Sequence, residues 1–92
     1  MIYEWDAGKA AANIKKHQIW FEDAATVFLD PLAITFADPD HSGEEQREIT
    51  IGHTSNEKLV FVAHSERAGR IRIISARFAT ALERKQYEEG LT

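Results

Sequence analysis

The sequence predicts a single α+β domain: an antiparallel four-stranded meander, with a short N-terminal strand candidate, packed against two N-terminal helices and one C-terminal helix. Three observations lead there. Alanine-rich and helix-period patterns fill residues 7–29, strand-like segments joined by short turns fill 32–76, and a capped helical pattern closes the chain at 80–89. At 92 residues, the span 1–92 makes one domain, burying about 65% of its extended surface.

Each element has its own local reason. Ile2 to Trp5 alternates briefly and reads as a short strand. Asp6 is a good N-cap for a helix over 7–16, and Lys15, Lys16 and His17 suit the negative end of its dipole. Phe21, Ala24, Ala25 and Phe28 have the spacing of a second helix over 21–29, which Asp30-Pro31 ends. Leu32 to Phe36 is a strand candidate with Leu32, Ile34 and Phe36 on one face. The polar loop from Asp38 to Gly43 follows, and 46–53 alternates again. Lys58 to Ser65 is almost continuously apolar, as a central strand covered on both faces would be. Glu66 to Gly69 is a tight turn, and 70–76 is the last strand, with β-branched Ile71, Ile73 and Ile74. Alternation places Ile71 and Ile73 on one face and Arg70, Arg72 and Ile74 on the other. Thr80 and Glu83 match the capping box of a helix over 80–89, and Gly90 is its stop.

Composition narrows the chemistry. There is no cysteine, so disulfides and thiolate metal sites are excluded. No apolar run approaches the roughly 20 residues of a membrane span. The N-terminus lacks a signal peptide's basic start, so a cytoplasmic location is the expectation. Net charge is −4, but it is unevenly spread: residues 1–57 hold 4 basic and 11 acidic side chains, whereas 58–85 hold 7 basic and 2 acidic. Local field, not the sum, draws an anion to a site. Three arginines within the eight residues Arg70 to Arg77 repel one another unless something anionic lies among them. A phosphate backbone and an acidic protein are the two candidates.

No phosphate-cradling glycine loop and no His-Glu-x-x-His motif is present. Asp38, Asp40 and His41 read as a solvated loop rather than a metal site, and Ser75 has no evident histidine partner in sequence. What remains is a basic and polar set: Lys16, His17, Arg47, His64, Arg67, Arg72, Arg77 and Tyr87. Such a set suits phosphodiester cleavage without a metal. RNA brings its own nucleophile, the 2′-hydroxyl, and the protein need only align it, move protons and stabilise the charged transition state. Arginine binds phosphate in a planar fork, and histidine shuttles protons near neutrality. Each residue also has a plainer reading. His17 can cap a helix, His64 can be a satisfied core residue, Arg67 can be any polar turn residue and Tyr87 can edge the core.

The chain resembles a known family. Trp5-Asp6, Lys9, Asn13 and Lys16-His17, then Phe21-Glu22-Asp23-Ala24, then Val27-Phe28 and Asp30, are similar to the start of the BrnT toxins. Arg47, Gly52, Arg67, Arg72 to Arg77, Glu83-Arg84 and Tyr87 match the rest of that pattern, with Ser65 where a serine or threonine precedes the family arginine. The resemblance implies a RelE-like fold and a metal-independent endoribonuclease that arrests growth. It also implies neutralisation by a BrnA-like ribbon-helix-helix antitoxin, with operator DNA bound only through that partner. On this reading Arg67, Arg72, Arg77, His17 and Lys16 are the expected catalytic residues. Arg47, Arg70, His64 and Tyr87 are expected to bind RNA, with no metal and no cofactor. The alternative is a non-enzymatic protein-binding module or co-repressor whose basic strand docks an acidic partner. Three positions depart from the pattern: Gln18 for glycine, Trp20 for a serine or threonine cap, and Phe78 for a basic residue. The first helix is therefore expected to end differently. The second is expected to lose a side-chain cap worth about 1 kcal/mol.

Overall fold

The computed structural model describes residues 2–40 and 46–90. Its elements are β1 (Ile2–Glu4), α1 (Ala7–His17), α2 (Phe21–Ala24) continuing as a 3₁₀ segment (Ala25–Leu29), β2 (Ile34–Ala37), β3 (Arg47–His53), β4 (Leu59–Arg67), β5 (Arg70–Phe78) and α3 (Ala81–Glu89). One five-stranded sheet has the order β1-β5-β4-β3-β2. Strands β2 to β5 form the expected antiparallel meander, and β1 adds parallel to β5 through Ile2↔Arg70, Tyr3↔Ile71 and Glu4↔Arg72. The apolar β4 is the central strand.

Two apolar layers sandwich the sheet. On the helix face, Ile19, Phe21, Ala24 and Val27 pack on Val60, Val62, Ile71, Ile73 and Ala76. On the opposite face, Ile34, Ile49, Ile51, Leu59 and Ala63 form a smaller cluster, against which Phe61, Ala79 and Tyr87 rest. Tyr3, Trp5 and Phe28 join the first layer. Tyr3 stacks on Phe28 at 5.5 Å, and Trp5 meets Phe21 edge-on at 5.9 Å.

The local signals at the helix ends translate directly. The Asp6 carboxylate accepts the Lys9 N–H at 2.9 Å. Thr80 and Glu83 complete a reciprocal capping box, and Gly90 ends α3 at φ 69°. Trp20 caps α2 with no side-chain hydrogen bond, in line with its chemistry. Gln18 departs from expectation, because it adopts the left-handed conformation (φ 57°) that glycine would take there. Its N–H closes on Ile14 O at 2.8 Å. The helix thus ends as a glycine would end it, at a strain of about 1 kcal/mol for the extra Cβ.

Strand β5 runs two residues past the expected end, to Phe78, and three further differences from the sequence reading each have a tertiary reason. Residues 21–29 are not one α-helix. Phe21, Ala24 and Val27 are all fully buried, a three-residue stripe that a 3₁₀ turn keeps on one side. Leu32 lies outside β2 and is 68% exposed, because the Asp30 carboxylate turns the chain by accepting the Leu32 N–H at 2.9 Å. Glu66 and Arg67 stay in β4, and the hairpin turn is only Ala68-Gly69, at φ 54° and 77°. Two positive φ values are what a two-residue turn between right-twisted strands requires.

Candidate active site

The site begins with an irregularity in β5. Ala63 pairs with Ser75 but His64 pairs with Ile73, so Ile74 is an extra residue, a β-bulge. Arg72 and Arg77 are five positions apart, and unbroken alternation would put them on opposite faces. The bulge restores parity. Ile73 and Ala76 both lie in the helix-face core, while Arg72 and Arg77 both point to the other face, opposite Ser65 and Phe61.

That face carries the basic set. Arg47, Ser65 and Arg72 stand side by side on β3, β4 and β5, and Arg67 and Arg70 are paired in the next row. Strand spacing puts the Arg47 and Arg72 backbones about 10 Å apart. Ser65 is buried between them, Arg47 and Arg72 are half-buried, and Arg67 and Arg70 are exposed. Glu4 of β1 pairs loosely with Arg70, at 4.0 Å. Among the described residues no carboxylate pairs with Arg72.

Arg77 is in a different state. Its fork is filled by the Glu83 carboxylate, at 2.8 and 2.9 Å, and its guanidinium lies 3.8 Å over the Phe61 ring. Burial pushes the Glu83 carboxyl up, but the hydrogen bonds from Arg77 and the Thr80 N–H outweigh it and hold the group below its usual range. Arg77 therefore fastens the start of α3 to the sheet.

The other end of α3 is fastened by Tyr87. Its hydroxyl donates to Asp30 Oδ2 at 2.7 Å and lies 3.1 Å from His53 Nδ1. The single hydroxyl proton is committed to Asp30, so in the contact with Tyr87 the hydroxyl accepts and His53 Nδ1 is the donor. Burial, then the hydrogen bond to Asp30 and its charge, pushes the Tyr87 phenol up to about 12. Burial opposes ionisation of Asp30. The His53 and Leu32 N–H groups, the Tyr87 hydroxyl and the His53 ring nevertheless hold its carboxyl below the usual range. Tyr87 is thus engaged within the protein.

The remaining expected residues fall in two places. Lys16 and His17 line a 290 Å³ cleft between α1 and β5, together with Lys9, Ile74 and Ser75, so the bulge and the last turn of α1 share one opening. His64 does not join them. It is 3% exposed on the helix face, edge-on to Phe28 at 4.9 Å, with Nε2 bonded to Thr50 Oγ at 2.7 Å. Burial pushes its ring down to about 4, so it is neutral near pH 7. In the loop reading of Asp38, Asp40 and His41, His41 lies outside the described residues.

Sequence reasoning passed over Asn13, Asp30 and His53 as site-building residues. Asn13 and Asp30 stand in the family-like pattern, which was their one signal. Their partners, 63 and 57 residues away, leave no trace in local spacing.

The fold and this basic sheet face define a small α+β protein with one cationic end of its sheet suited to an anion. The model described as "Ribonuclease toxin, BrnT, of type II toxin-antitoxin system" matches residues 5–83, and the chain belongs to that family. Among solved structures, the Brucella abortus ribonuclease toxin BrnT is similar in fold, with a TM-score of 0.65 at 24% identity, covering 87% of this chain and 99% of that one. Among curated proteins, none matches the chain. A BrnT toxin of a type II system implies an RNA substrate and a cognate antitoxin.

Proposed function

We propose that this ribonuclease toxin cleaves RNA internally without a metal, using the open arginine end of the sheet. One observation carries the reading: Arg72 is a half-buried guanidinium with no carboxylate partner among the described residues, flanked by Arg47, Arg67 and Arg70. An unpaired, partly desolvated charge is costly unless an anion completes it. The scissile phosphate is that anion. Arg72 and Arg47 grip its equatorial oxygens, and Arg67 and Arg70 hold the neighbouring phosphates. The 2′-oxygen attacks phosphorus in line as the bond to the 5′-oxygen breaks. One group removes the 2′-proton and another protonates the leaving 5′-oxygen. Lys16 and His17, in the cleft beside the bulge, are the residues for this exchange. Arg77 and Tyr87 act from behind by holding α3, and His64 is left to the core.

The antitoxin is proposed to be a BrnA-like ribbon-helix-helix protein that neutralises the toxin and carries the complex to operator DNA inside the cell. Exposed Trp20 (53%) beside a 580 Å³ cleft lined by Asp23, Asn56 and Lys58 offers it apolar and polar surface. A stable toxin monomer that ignores the product of the neighbouring reading frame would refute the partner reading.

The enzymatic test is Arg72→Ala and Arg72→Lys, with melting temperature, antitoxin affinity and RNA cleavage measured on each. Loss of one such donor costs about 2.7–4 kcal/mol of transition-state stabilisation, a rate drop of about 10²–10³. The lysine variant should also fail in large part, because an ammonium cannot form the fork. Full cleavage by folded Arg72→Ala protein would remove Arg72 from the site.

A further inference from the structure

We propose that Asn13 is a positioning residue for this cleavage, locking the β5 bulge to α1 so that Lys16 and His17 keep their place beside the arginine row. The inference rests on the reaction proposed above. Asn13 is 6% exposed, and its amide makes three bonds. Nδ2 donates to Ala76 O at 2.9 Å and to Ile19 O at 3.0 Å, and Oδ1 accepts the Ala76 N–H at 3.0 Å. The ladder of β1 on β5 ends at Glu4↔Arg72, so beyond that point the outer edge of β5 lacks a strand. The Asn13 amide replaces the strand at one residue, giving Ala76 both a donor and an acceptor.

The place of this contact matters. Ala76 returns to the helix-face core after the extra residue Ile74, so it is where the bulge is closed. The β4 ladder fixes the inner side of the bulge, and Asn13 fixes the outer side. Lys16 and His17 follow Asn13 by three and four residues, hence on the same side of α1. They line the cleft with Ile74 and Ser75. A single side chain therefore sets the distance between the proton-moving groups on α1 and the phosphate-gripping row on β5. Asn13 itself has no free donor or acceptor capacity of consequence, so it acts through these residues. Aspartate keeps the acceptor but loses both donors, and it sets a charge against two carbonyl oxygens.

The experiment compares wild type, Asn13→Asp and Asn13→Gln on a single-stranded RNA oligonucleotide. It follows kcat, KM, the pH–rate profile and the fraction folded. A misplacement of about 1 Å can lower a rate by about 10²-fold. We expect kcat per folded molecule of Asn13→Asp to fall at least about tenfold with KM within about threefold, since the arginine row is intact. The shape of the pH–rate profile should change with it, because the groups that move the protons are displaced. In a background with both Lys16→Ala and His17→Ala, Asn13→Asp should add nothing further. Unchanged kcat and pH profile in folded Asn13→Asp would overturn the inference, as would a full additional loss in the background that lacks both Lys16 and His17. Failure of both Asn13 variants to fold would make it a folding residue and also overturn it. Absence of cleavage by the wild type would instead refute the proposed reaction itself.

Discussion

Arg72 and Arg77 carry the same group five positions apart, yet one has no carboxylate partner among the described residues and the other is forked by Glu83. The fork of Arg77 is already filled by a carboxylate of the fold. Arg77→Ala should therefore lower stability by about 1–2 kcal/mol, or roughly 4–16 °C in Tm for a domain of this size. Glu83→Gln should lower it less. A Tm unchanged by Arg77→Ala, with cleavage abolished, would show that Arg77 acts on RNA directly. The second residue-scale prediction concerns His64. Its folded value of about 4 lies below the ordinary 6.5, so the fold favours the neutral ring and the unfolded chain binds the proton first. Stability is then fully present above about pH 6.5 and declines as pH falls toward 4, by about 3 kcal/mol. Urea unfolding between pH 4 and 7 should show this slope in wild type and a shallower one in His64→Gln. Equal slopes would mean that another group controls this window.

At the scale of elements, α3 is held by fastenings rather than by burial. None of its residues is buried, and Leu82 is 66% exposed. Its attachments are Glu83 to Arg77 at one end and Tyr87 to Asp30 at the other. Asp30 also accepts the His53 N–H at 2.8 Å, which ties the chain before β2 to the end of β3. Gly52 makes that approach possible. A Cβ there would lie 2.9 Å from the Ala33 Cβ and 3.2 Å from Asp30 Oδ2. Gly52→Ala should thus cost about 1–3 kcal/mol by overpacking and loosen α3 through Asp30. Denaturation would register the first effect, and faster hydrogen exchange in α3 the second. A variant as stable as wild type would show that the β2 approach yields easily.

Across the whole molecule, charge is arranged rather than merely summed. A chain of net charge −4 gathers Arg47, Arg67, Arg70 and Arg72 on one end of one sheet face. RNA affinity should accordingly fall with salt despite the acidic balance, and each phosphate contact should contribute about 0.7 to the slope of log K against log salt. Arg70→Ala should flatten that slope by roughly this amount without altering the fold. A slope indifferent to Arg70 would place the strand of RNA elsewhere.

Short-range patterns were enough for the class of fold, its meander, most of its caps and its family. These depend on signals within a few residues: alternation in β3, the Thr80–Glu83 box, the Asp6 cap and the short turns. It also singled out Arg72 and Arg77 alike, through a cluster of like charge needing an anion. Tertiary structure decided the rest, because the deciding partners are far apart along the chain. The bulge at Ile74 exists only against the register of β4, and without it Arg77 would face the other way. The 3₁₀ turn at Ala25–Leu29 follows from burial of Phe21, Ala24 and Val27 against the sheet. His64 reads as an available imidazole in sequence, and only its place beneath Phe28, bonded to Thr50, removes it from the basic face. Local patterns select elements because backbone geometry is local. A side chain's availability is decided by what long-range packing puts against it.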